Sequence, residues 1–195
     1  MTRKHLSLIV AVLVLVAFWI LGLRYLSAPI TIIVGGSMAV GLLFWLRYLY
    51  GRPAEPMVIL PPFLVMMAAL SAHKMEEYYA GFPQAISALF GVHFTLQTFL
   101  LVFEQVGPML YFLVILGLFL RDEFANFFAC FLMIGMGLGE VTHFIFPLIA
   151  GGPYRYFPGM YTAILPIATG AWTILSVMRG SRHRNASPSH PEARS

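Results

Sequence analysis

LSLIVAVLVLVAFWILGLRYL, residues 6–26, holds one charge, Arg24, close to its end. At about 1.5 Å per residue such a run covers the roughly 30 Å hydrocarbon core of a bilayer as a single helix. Nothing in it alternates in the short polar/apolar rhythm of a barrel strand. Arg3 and Lys4 before it, and Leu26-Ser27-Ala28 after it, give it the outline of a secretory signal. Its apolar core is too long for one, and the stretch reads as an uncleaved anchor helix.

The rest of the chain carries the same signal. Of 195 residues, 59% are hydrophobic and only 10% charged, and the mean hydropathy is +0.82. That leaves too little polar surface to clothe a water-soluble globule, so the composition predicts an integral membrane protein. Spans are expected at about 6–26, 29–50, 57–79, 96–120, 124–149 and 158–178. The expected fold is all-α, a polytopic transmembrane helical bundle of about six helices forming one domain over 1–178, followed by a disordered basic tail, 179–195, resting on anionic lipid.

Arginine and lysine placement gives an expected orientation, because positive residues in short loops stay on the cytoplasmic side. With six spans and the N-terminus inside, that side holds Arg3, Lys4, Arg47, Arg52, Arg121, Arg179, Arg182, Arg184 and Arg194, against Arg24, Lys74 and Arg155 on the other. Both termini are therefore expected in the cytoplasm. The basic balance has a topological explanation, and no folded basic module outside the membrane points to nucleic acid. Cys130 is the single cysteine, which rules out an internal disulfide and fits packing better than catalysis.

Ionisable residues inside the spans are expensive and usually functional. On this topology His73, Glu76, Glu77, His93, Glu104, Glu140 and His143 all fall toward the outer side. His73, Glu76 and Glu77 stand at i, i+3 and i+4 and share a helix face. Glu140 and His143 form Glu-x-x-His, the spacing by which helical bundles project a carboxylate and an imidazole into one core. The two pairs run in opposite order on helices of the same direction. If those helices are neighbours, His73 faces Glu140, and His143 faces Glu76 or Glu77. That arrangement suits a metal site and equally a proton relay. His93 reads as an interfacial histidine, and Glu104, close to Gln105 and Pro108, as either a site residue or the partner of a helix kink.

In GGPYRYFPGMYTAILP, 151–166, Gly151, Gly152 and Pro153 break the preceding helix, and Pro158 is placed to open the next one. The free amides of that turn, with Arg155 and Tyr156, could receive an anionic or oxyanionic group.

His73-Lys-Met-Glu76-Glu77, a second histidine at His143 and Tyr156-Phe-Pro158-Gly159 together resemble the HXXEE family of bacterial integral membrane proteins, over roughly residues 57–170. The resemblance implies that His73, Glu76, Glu77, His143 and the 156–159 turn are functional positions, with a peptidase-like role as the suggested chemistry. The pairing with Glu140 and the extra N-terminal helix come from this chain alone.

The leading expectation is a membrane-embedded metal-dependent hydrolase of a bacterial plasma membrane, with its site facing outside. His73, His143, Glu140 and Glu76 are the candidate ligands of a divalent metal such as zinc. Glu76 or Glu77 is the candidate general base, and Tyr156 or Arg155 the oxyanion stabiliser. Glu104, Pro158 and Gly159 are candidate substrate contacts, and the substrate is a lipid or a membrane-embedded molecule. Two other functions fit the same residues: a metal-free acid/base isomerase or cyclase of a lipid or isoprenoid, and a lipid-binding protein or proton-coupled transporter. The sequence does not set the oligomeric state.

Overall fold

The computed structural model describes residues 3–186, and these build a helical bundle. Its elements are α1 (Arg3–Tyr25), α2 (Ala28–Tyr48), α3 (Pro56–Tyr79), α4 (Phe82–Phe90) and α5 (Leu96–Phe99), which continues as a π-helical segment (Leu100–Val106) into α6 (Gly107–Phe119). Next come α7 (Glu123–Gly135), a 3-10 segment (Leu138–Val141), α8 (Thr142–Ala150) and α9 (Ile164–Ala186). Among the described residues five stretches are long and apolar enough to cross a membrane: Lys4–Tyr25, Ala28–Tyr48, Pro56–Tyr79, Leu96–Phe119 and Glu123–Ala150. The chain is an integral membrane protein.

Two close pairs organise the bundle, α2 against α7 and α3 against α9. Small residues set the approach. A Cβ on Gly41 would stand 2.6 Å from the Phe131 backbone, and one on Gly137 would stand 2.9 Å from the Cα of Gly170. The first contact locks α2 to α7 and the second brings α9 against the break that follows α7, the close backbone approach that substitutes for a hydrophobic drive between helices in lipid. Trp45, Phe63 and Phe127 fill the core at one end. A second cluster around Ile86, Phe94, Phe99, Phe146 and Phe157 fills the other.

The structure departs from the expected helices at four places. The loop after α3 contains α4, bracketed by Gly81 and Gly91 at φ 76° and 63°; these glycines let the chain reverse at both ends of a short helix opened by Pro83. The span at 96–120 is interrupted by the π segment, where Gly107 N–H reaches the Val102 carbonyl. In that register the Phe103 carbonyl would look to the amide of residue 108, and Pro108 has none. The span at 124–149 breaks at Met136–Gly137, within its run of glycines, and resumes as the 3-10 turn that carries Glu140.

The last departure is at the C-terminal helix. Residues 158–163 form turns, so helix α9 starts at Ile164 and Pro158 does not open it. Helix α9 also continues to Ala186, so the first eight residues expected as a disordered tail (179–186) are helical. The apolar stretch of α9 and its packing along α3 carry the helix past Arg179. The remainder of that tail call, 187–195, lies outside the described residues.

Candidate metal centre

His73 and Glu77 stand one helical turn apart on α3, and Glu140 and His143 one turn apart across the 3-10/α8 junction. Packing brings the two pairs face to face, all four buried. Glu140 Oε2 lies 3.2 Å from His73 Nε2 and 3.1 Å from His143 Nε2. Glu77 Oε1 lies 3.3 Å from His143 Nε2 and 3.8 Å from His73 Nε2. One donor atom from each residue falls within 4.8 Å of all the others. Donors about 2.1 Å from a tetrahedral zinc are separated from one another by about 3.4 Å, so these distances match a set that can close on one small cation.

The outer nitrogens of both imidazoles are already committed. His143 Nδ1 stands 2.7 Å from the Pro158 carbonyl, which can only accept, so Nδ1 carries the proton. His73 Nδ1 stands 3.0 Å from Thr162 Oγ1. That hydroxyl gives its own hydrogen to Glu76 Oε2 at 2.6 Å, so it too accepts from the imidazole. Both rings therefore direct Nε2 inward at the carboxylates, and His73 Nε2 is buried with no hydrogen-bond partner. A ring N–H held by a carbonyl or hydroxyl while the opposite nitrogen points at carboxylates is the outer arrangement of metal-bound histidine. The donor set fits a divalent cation of the zinc type.

The Tyr156–Thr162 turn builds this outer layer. Glu76, expected as a ligand or base, stands apart from the four-residue cluster. Its carboxylate accepts from Tyr156 OH at 2.6 Å, Tyr161 N–H at 3.2 Å, and Thr162 N–H at 2.7 Å besides the Thr162 hydroxyl. A carboxylate with both oxygens filled by donors anchors a turn rather than removing a proton from a substrate. Tyr156, expected at an oxyanion, donates its hydroxyl to Glu76 instead. Partial burial and that contact push its pKa up to about 12. Pro158 supplies a carbonyl to His143. Gly159, at φ +90°, lies so close to both rings that a Cβ would meet His143 Cε1 at 2.5 Å and His73 Cε1 at 2.9 Å. Pro158 and Gly159 thus position the histidines, in place of the substrate contact expected of them. Arg155 and Glu104 are exposed and stand outside the cluster.

Lys74 is the residue that the sequence reading left unassigned. It is buried, 4% exposed, and its ammonium donates to the Phe103 carbonyl freed by the π segment and, at 2.9 Å, to Tyr111 OH. The rings of Phe103 and Tyr111 lie 5.3 and 5.1 Å from it. A lysine one residue from His73 inside a span was the available signal, since a charge at that depth requires partners. Thr162 carried no such signal.

Lys74, Glu77, Glu140 and His143 form the polar end of an apolar cleft of about 620 Å³, open mouth included, whose walls come from α2, α4, the π segment and α8. Phe82 and Phe146 pack on the His143 ring at 5.1 and 5.7 Å between centroids. Comparison with family models, curated proteins and solved structures returns no match for this chain.

Proposed function

We propose that the protein is a membrane-embedded metal-dependent hydrolase, with a zinc-like cation held by His73, His143 and Glu140 and with Glu77 as general base. The observation that carries this reading is the commitment of both Nδ1–H groups outward, which presents two Nε2 atoms to the same two carboxylates. Two imidazoles and one carboxylate with an open fourth position are the ligand set of several catalytic zinc sites. A bound cation would supply Lewis acidity and a water of lowered pKa. Glu77, held less closely than Glu140, would be the residue to take a proton from such a water. Thr162 and Pro158 fix the imidazole tautomers, and the phenylalanines around His143 keep bulk water from the site.

The apolar cleft favours a lipid or membrane-embedded substrate over a polar peptide. The resemblance to the HXXEE family supports a hydrolytic role at these positions and a bacterial plasma membrane; with α9, packed along α3, counted as a sixth crossing, the arginine and lysine distribution supports a site facing outside.

One distance favours a second reading. His143 Nε2 and Glu140 Oε2, 3.1 Å apart, can share a proton without a metal, which is the pairing an acid/base isomerase or cyclase of lipids would use. Metal analysis of protein purified in mild detergent separates the two. One equivalent of metal, lost in His73→Ala, supports the hydrolase. Absence of metal after zinc equilibration, with the fold intact, returns the site to metal-free acid/base chemistry.

A further inference from the structure

Charge and shape at the cleft narrow the ligand class, given the metal reading above. Three enclosed side chains carry formal charge: Lys74, Glu77 and Glu140, all buried. Glu76 is held by the 156–162 turn, and Glu104, exposed on the π segment, acts electrostatically on Lys74 from outside the enclosure. A divalent cation with an open coordination position would take an anionic oxygen in preference to a neutral one. Lys74 commits two of its three ammonium hydrogens, to Phe103 O and Tyr111 OH, and it lines the cleft beside Glu77 and Glu140. The third remains for a ligand oxygen. Beyond this polar end the lining is apolar and aromatic, including Ile33, Ile86, Phe90, Phe94 and Phe99.

We propose that the cleft binds single-chain amphiphiles ending in a carboxylate, of the fatty-acid class, with the chain among the phenylalanines and the head between Lys74 and the metal centre. A neutral alcohol of equal length offers the cation and the Lys74 ammonium only an uncharged oxygen. For a hydrolase of acyl esters or amides, such a carboxylate is the product left in the acyl site.

The test uses zinc-loaded protein in phosphatidylcholine nanodiscs, with binding of radiolabelled laurate and dodecanol corrected for empty nanodiscs. Laurate is expected to bind about tenfold or more tightly than dodecanol, the value of a hydrogen bond to a charged group. Lys74→Met should remove that preference with zinc retained, and Ile86→Trp, which fills the cleft, should weaken both ligands with zinc retained. Equal affinity of the zinc-replete wild type for the two ligands overturns the inference, whether or not Lys74→Met folds. So does an Ile86→Trp variant that binds both as before. Zinc content is read first: a wild type that takes up no zinc removes the proposed function and this inference together, whereas zinc-replete protein without laurate preference removes this inference alone.

Discussion

His73 gives its Nδ1 proton to Thr162, 3.0 Å away, because the Thr162 hydroxyl has already given its own hydrogen to Glu76. One hydroxyl thereby sets the tautomer of a buried imidazole. Thr162→Val keeps the shape and removes this relay. Metal affinity is expected to fall about 10–100-fold, as for other outer-layer partners of metal-binding histidines. Thr162→Ser should retain most of it. Chelator competition on the purified variants measures the change, and equal affinity in the valine variant would show that the relay does not tune the site.

Gly159 faces two constraints at once. Its φ of +90° disfavours any L side chain, and a Cβ would stand 2.5 Å from His143 Cε1. Gly159→Ala is expected to push His143 away from Glu140, lowering metal stoichiometry and destabilising the fold by about 1–3 kcal/mol. Metal content and thermal melting in detergent check this together. A variant with full metal occupancy and an unchanged melting point would mean that the turn moves freely.

The adjacent glutamates should respond in opposite ways. Glu76 accepts four hydrogen bonds, two at each oxygen. Its glutamine variant aims an amide N–H₂ at donors, so melting should drop by the equivalent of about 1–3 kcal/mol. Glu77→Gln, whose carboxylate faces imidazole nitrogens, should melt close to wild type and lose metal affinity or turnover. A stable Glu76→Gln protein lacking activity, alongside an active Glu77→Gln protein, would reverse the two roles.

Alkaline stability should carry a signature of Tyr156. The folded state holds its pKa above the ordinary value near 10, at about 12, through partial burial and the hydrogen bond to Glu76. A raised folded pKa contributes stability that is complete below the unfolded value and is lost as pH rises from about 10 to about 12. Tyr156→Phe should flatten this component of the alkaline limb, as followed by melting temperature against pH. Identical slopes for variant and wild type between pH 10 and 12 would exclude the coupling.

The bundle was legible in the sequence because the bilayer demands long apolar helices whatever their partners. Residues 57–79 and the observed Pro56–Tyr79 nearly coincide. Where backbone hydrogen bonding was altered by local chemistry, legibility fell. Pro108 marked trouble in the span at 96–120 without revealing a π turn, and the glycines at 135–139 did not by themselves reveal the break before Glu140.

Within the site, sequence spacing determined that His73 shares a face with Glu76 and Glu77, and Glu140 with His143. It could not rank the two glutamates. They stand about 60° to one side and about 40° to the other of His73 on a helix of 3.6 residues per turn, so both are near neighbours of the same imidazole. What packs on each flank decides their roles. The 156–162 turn covers one flank and supplies four donors to Glu76, whereas the Glu140–His143 segment covers the other and leaves Glu77 facing imidazole nitrogens. Periodicity is a property of one helix. The partners that turn a carboxylate into an anchor or a reactive group come from segments far along the chain, up to 86 residues away, and only their packing assigns them.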